Sequence, residues 1–298
     1  MAFEISRVAS NRFVARRRED RIRRALILGR VALLYALMVL VGLTFLFPFL
    51  WMLSTSLKVS TQVFAQPPVW IPQPIVFSNY VKAVTVVPTF RYFLNSLIIT
   101  VLPLFAVLIS SAAVAFAFAR IEWPGRNLLF GILLSTMMLP GQVTMIPVFV
   151  TFHKIGWVNT FKPLIIPSFF GSAFYIFLLR QFFMGIPREM DEAAIMDGAT
   201  PPLIWWRIVL PLSGPVLAAV AIFSFIGGWN AFMEPLIYLQ SPDKWPLALG
   251  LIAFRQRHVT YWAEIMAYSL LVMVPCLLVF FFFQRYFIQG IALSGLKG

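Results

Sequence analysis

The stretch from Arg91 to Arg120, RYFLNSLIITVLPLFAVLISSAAVAFAFAR, places 28 uncharged residues between two arginines. A helix needs about 20 apolar residues to cross the hydrocarbon core of a bilayer, so this run is long enough. It shows continuous apolar character in place of the period-two alternation of a membrane barrel strand. One such run predicts a membrane helix, and the rest of the chain repeats it.

Marked by their bounding charges, five further windows follow the same rule. They hold 27 uncharged residues between Arg30 and Lys58, 26 between Arg126 and His153, 26 between Arg207 and Glu234, and 20 between Glu264 and Arg285. The shortest, 17 residues between Lys162 and Arg180, keeps its apolar character to Ile186. Arg180 near its end is expected to extend toward the headgroups. The expected fold class is therefore an all-α membrane protein with about six transmembrane helices.

Composition agrees. Of the 298 residues, 60% are hydrophobic and 12% charged, against about half and about a quarter in soluble domains. The net charge of +13 would suggest nucleic acid in a soluble chain, but these charges lie at one end and between apolar runs. They read as orientation signals, and no nucleic-acid partner is expected. The one cysteine, Cys276, forms no internal disulfide. The first 24 residues are basic and polar without a small-residue cleavage pattern, so the first span is expected to target the chain itself.

With six spans both termini share a side. Placing them in the cytoplasm puts 16 of the 24 Lys and Arg inside, nine of them arginines at or before Arg30. The organisation read from this is a basic, loosely docked cytoplasmic tail over residues 1–27, attracted to anionic lipid, and one membrane domain over 28–298. Residues 54–92 form the longest external segment, interrupted by Pro67, Pro68, Pro72 and Pro74.

The connection after the fourth span reads GIPREMDEAAIMDGATPP from Gly185 to Pro202. It describes a short, punctuated helix. Pro187 suits its first position, and Glu189, Asp191 and Glu192 favour the positive end of the helix dipole. Gly198 can end it in a left-handed conformation, and Pro201 and Pro202 forbid continuation. Ala193 and Ala194 let another surface approach closely.

The spacing then resembles the cytoplasmic signature of binding-protein-dependent ABC importer permeases. That pattern runs Glu-Ala-Ala, three residues, Gly, nine residues, Ile, one residue, Leu-Pro. Glu192-Ala193-Ala194, Gly198, Ile208 and Leu210-Pro211 match at every fixed position. Further stretches are similar: Asn95-Ser96, Ala115 to Arg120 with Gly125, Met138-Leu139-Pro140, Gly156 to Thr160, and Trp229-Asn230 with Phe232. The tail from Gln284 to Gly290, with Gly295 to Gly298, resembles the carbohydrate-uptake branch, typified by the smaller permease of the maltose-type importer. The resemblance covers residues 28–298.

It implies a permease subunit of an ATP-driven sugar importer, with a cytoplasmic coupling helix between the fourth and fifth spans. Glu192, Ala193, Ala194, Met196, Asp197, Gly198, Ile208, Leu210 and Pro211 would form the interface to a separate ATPase. Implied partners are a second permease, two ATPase copies and an extracellular or periplasmic sugar-binding protein. The implied location is the prokaryotic cytoplasmic membrane. The chain has no Gly-x4-Gly-Lys-Ser/Thr phosphate loop and no clustered metal-ligating motif, His153 and His258 being isolated. No catalytic residue and no cofactor are expected here, ATP and Mg belonging to the partner ATPase. Trp229, Asn230 and Glu234 combine the aromatic, amide and acidic groups that suit a sugar pathway. Each also has a plainer reading: interfacial anchoring, helix packing and simple exposure. An importer of a non-sugar solute stays open as an alternative. A gradient-driven transporter would need ionisable groups at mid-membrane, which these windows lack.

Overall fold

A computed structural model describes the backbone of residues 2–255 and 260–295, with side chains from 27 to 255 and 260 to 284. His258 and the side chains beyond Gln284 lie outside these described residues. The elements are α1 (Ala2–Ser56), α2 (Ser78–Thr85), α3 (Thr89–Arg120), α4 (Arg126–Thr136), α5 (Gly141–Lys154) and α6 (Lys162–Ile165). A 3-10 segment (Ile166–Phe170) leads to α7 (Ala173–Met184), followed by α8 (Glu189–Met196) and α9 (Pro201–Ile204). A π-helical segment (Trp205–Val209) joins α10 (Leu210–Leu212) to α11 (Gly214–Trp229). Then come α12 (Met233–Tyr238), α13 (Leu247–Gly250) and α14 (Trp262–Gly295). The fold is all-α, and the tail expected to be loosely docked continues the backbone of α1 back to Ala2.

Four of the six windows are long apolar spans: Ile27–Ser56, Thr89–Arg120, Lys162–Met184 and Trp262–Gln284. The third and fifth windows are bent pairs, with α4 and α5 meeting at 95° and Pro201–Leu212 meeting α11 at 81°. The bends follow local chemistry. Pro140 precedes α5 with extended backbone, and Gly214 and Pro215 begin α11 after the non-helical Ser213. From Ile27 to Leu50 the apolar side chains of α1 are almost all exposed, as expected where lipid is the solvent.

The third helix is the hub. Ser111, Ala112, Ala115 and Ala119 put small side chains at three- and four-residue spacing on α3, which lets α7 approach closely. Phe116, Phe118, Leu179, Phe183 and Val220 close a core at the Arg120 end. A second core at the opposite end joins Tyr92, Trp229, Phe254 and Tyr268. The non-helical break at Gly171, where φ is +80°, sits against α3 and is satisfied by it. The Ser172 amide donates to Ser111 Oγ (3.1 Å), and Ser110 Oγ donates to the Ser168 carbonyl (3.1 Å). Irregular backbone persists inside a membrane only when such partners exist.

Side-chain amides pin the end away from Arg120. Asn95 Nδ2 donates to the carbonyls of Asp243 and Trp245, each at 3.0 Å, and Asn79 Nδ2 to those of Ser56 and Lys58, each at 2.9 Å. Lys58 is buried with its ammonium 4.0 Å from the Trp51 ring centroid, and desolvation pushes its pKa down. Arg180 corrects the sequence reading. Its Nε donates to the Phe118 carbonyl (3.2 Å) and its guanidinium lies 4.1 Å from the Phe130 ring centroid, so it binds the spans together instead of reaching for headgroups.

Gly250 supplies a direct test of this packing. A Cβ there would lie 2.3 Å from Tyr268 Oη and 3.1 Å from Tyr92 Cδ2. Gly250→Ala is expected to cost about 1–3 kcal/mol through overpacking. The check is a lowered thermal midpoint of the detergent-purified protein, partly restored by adding Tyr268→Phe.

Candidate functional site

The most distinctive surface lies at the Arg120 end. Helix α8 begins at Glu189, two residues after Pro187, so the proline precedes the helix and does not occupy its first position. Its carboxylates Glu189, Asp191 and Glu192 fall in the first turn, where they complement the free N–H groups. The helix stops in a Schellman motif. Gly198 takes φ +82°, its amide donates to the Ile195 carbonyl (2.9 Å), and the Ala199 amide donates to the Ala194 carbonyl (2.8 Å).

The structure divides the matched motif into two faces. Glu192, Ala193, Met196, Asp197 and Gly198 are exposed, Met196 at 86%. With Met190 and Ile195, also exposed, they make a small surface of adaptable apolar groups beside acidic ones, suited to docking another protein. Ala194, Ile208 and Leu210 turn the other way and pack against the core that contains Phe183 and Val209. Their place is to seat the segment on the spans, while Pro211 is exposed at the foot of α11.

Sequence reasoning missed what holds α8 down. Arg120 was read as a boundary charge and as the end of a family-like stretch, without a link to α8, yet its Nη1 lies 3.1 Å from Asp191 Oδ2 in a largely buried ion pair. A second pair, Arg188 with Glu122 at 3.1 Å, joins the same segments at the exposed surface.

The residues read as a sugar pathway do not converge. Trp229 is 2% exposed and belongs to span packing: its indole N–H donates to the Val272 carbonyl (2.9 Å), and its ring stacks on Phe225 at 5.5 Å. Asn230 is exposed and donates to the Ile226 carbonyl (2.9 Å). Glu234 alone of the three lines a cavity of about 490 Å³ between α3, the broken fourth span and α11. Thr100, Ser168, Ser172, Tyr175 and Ser224 line it too, a wall of hydroxyls beside Gly227 and Gly228. The signal for this wall was present as hydroxyl residues inside otherwise apolar windows. Only their mutual placement was hidden. Among the described residues no group of three or more His, Cys, Asp or Glu side chains is placed to hold a metal.

Comparisons with known proteins agree with this geometry. The family described as "Binding-protein-dependent transport system inner membrane component" matches residues 110–293. The arabinooligosaccharide transport system permease of Halalkalibacterium halodurans is 33% identical over 255 residues, 85% of this chain and 91% of that protein. The diacetylchitobiose uptake system permease of Streptomyces coelicolor is 34% identical over 257 residues, 85% of each chain. The trehalose/maltose transport system permease of Thermococcus litoralis is 31% identical, covering 87% of this chain and 94% of that one. A chain in the crystal structure of a bacterial ABC transporter involved in import of the acidic polysaccharide alginate superposes with a TM-score of 0.76. It is 26% identical, with 88% of this chain and 96% of that chain covered.

The turn at Gly198 gives a test that needs no partner. Gly198→Val places a β-branched side chain at positive φ, at a cost of about 1–2 kcal/mol. The six spans should remain folded while the end of α8 loosens, seen as faster proteolysis between 188 and 200 in the purified protein with an unchanged thermal midpoint.

Proposed function

The chain belongs to the family of binding-protein-dependent transport system inner membrane components, and on that premise we propose that it is one permease subunit of an ATP-driven sugar importer. One observation carries the proposal: an exposed acidic helix, α8, ended by Gly198 in register with the family signature and seated on the spans through its opposite face. In this reading both termini and α8 face the cytoplasm. The Met190, Glu192, Ala193, Met196 and Asp197 surface docks on a separate ATPase that binds ATP and Mg. A second permease completes the pathway, and a solute-binding protein delivers from outside.

Three relatives named for sugar or oligosaccharide uptake support the substrate class. The cavity supports it chemically, since hydroxyls on small residues exchange hydrogen bonds with a polyhydroxylated solute. The Glu234 carboxylate repels a polyanion, which favours a neutral sugar over an acidic polysaccharide. Trp229 drops out of the solute path because its ring and its N–H are both engaged within the protein.

The test is to express the chain with a candidate second permease, ATPase and binding protein, and to measure hydrolysis of Mg-ATP in proteoliposomes. Binding protein loaded with arabinotriose, diacetylchitobiose or trehalose should raise the rate for at least one sugar. Solute movement by this chain alone, driven by an ion gradient, would contradict the proposal.

The cavity has its own probe. A Cβ at Gly227 meets nothing within 4 Å, so Gly227→Leu narrows the cavity without a clash at Cβ. Replacing a mid-helix glycine favours the helix by about 1 kcal/mol. Stability should hold or rise while sugar uptake falls, and uptake unchanged in a folded complex would remove this cavity from the path.

A further inference from the structure

Arg120 does more than pair with α8. It occupies the last turn of α3, and its side chain is only 4% exposed, with that of Asp191 at 15%. While Nη1 meets Asp191, Nη2 donates to the carbonyls of Phe183 and Ile186, each at 2.7 Å. Those two carbonyls belong to the end of α7 and the chain just past it, and the Phe183 carbonyl also accepts from the Ile186 amide (3.2 Å). One guanidinium therefore joins three elements: α3, the end of α7 and α8. Arg180 reinforces two of them from the other side, reaching from α7 to the Phe118 carbonyl of α3. The Arg188–Glu122 pair bridges the same region, but both side chains are more than half exposed, so solvent screens it.

We propose that Arg120 is a positioning residue that makes α8 and the adjoining ends of α3 and α7 move as one body. The inference rests on the reading that α8 docks on an ATPase. A displacement of α8 then reaches α3 directly through the buried ion pair, and reaches α7 through the same side chain's carbonyl bonds. The connecting chain from Gly185 to Arg188 is itself held at Ile186 by the same guanidinium. Further along α7's span lies the Gly171 break, beside the hydroxyl-lined cavity. A push on α8 is in this way carried to the wall of the cavity instead of dissipating in the connecting loop.

The test uses the complete complex in proteoliposomes with Mg-ATP and binding protein loaded with whichever of the three sugars stimulates the unaltered complex. The variants are Arg120→Gln, Arg120→Lys, Asp191→Asn and Asp191→Glu. Two quantities are read: the ATPase that copurifies, and the ratio of hydrolysis with and without loaded binding protein. Arg120→Gln and Asp191→Asn should retain the ATPase while the ratio falls by about tenfold. Arg120→Lys should be intermediate, because an ammonium cannot serve three acceptors in the geometry of a guanidinium. Asp191→Glu should keep the response. Asp191→Asn guards against misfolding, since it leaves both carbonyl bonds to Arg120 in place. An unchanged ratio in Arg120→Gln overturns the tie, as does loss of the ATPase from both Arg120→Gln and Asp191→Asn. Failure of the unaltered chain to retain any ATPase would contradict the docking reading itself, and the tie with it.

Discussion

Hydrocarbon offers no water to complete a hydrogen bond, so every helix break, every buried amide and every charge inside the spans must find its partner within the protein. That constraint explains where this chain is irregular. The fourth span is interrupted at Gly171 only because Ser110 and Ser111 of α3 supply a donor and an acceptor to the loosened backbone. The indole of Trp229 and the guanidinium of Arg180 likewise take backbone carbonyls of a neighbouring span. Each bond fixes one helix against another, and the small residues of α3 let those helices come close enough to make them.

The two ends of the bundle are built differently. Away from Arg120, side-chain amides of Asn79, Asn95 and Asn159 clamp the connecting segments to the spans and to one another, Asn159 exchanging two hydrogen bonds with Ser241. At the Arg120 end, charged groups hold α8, a helix with an exposed outer face. The Arg120 end is thus tied across three elements, while the fourth span is broken between the two ends at Gly171.

The lengths of the spans and the bounds of α8 were legible in the sequence. The six charge-bounded windows correspond to four apolar spans and two bent pairs, and Gly198 ends α8 as its position relative to Pro201 implied. The bends were not legible, because proline alone does not mark them. Pro48, Pro103, Pro147 and Pro275 lie inside continuous helices, whereas Pro140 and Pro215 stand at breaks. The inward roles of Arg120 and Arg180 were hidden for a related reason. A cation at the edge of an apolar window marks a boundary whether its side chain faces headgroups or a neighbouring helix, and only the packing of α7 on α3 decides. Trp229 shows the converse, an aromatic at the end of a span that serves packing where its composition suggested a sugar.

The proposed function requires α8 to be a cytoplasmic surface covered by an ATPase. A single cysteine in place of the exposed Met196, in a Cys276→Ala background, tests that most directly with a membrane-impermeant thiol reagent. Labelling is expected in inside-out vesicles and not in right-side-out ones, and it should disappear when the ATPase subunit is assembled on the complex. Labelling from the external side, or labelling that the assembled ATPase leaves unchanged, would contradict the account.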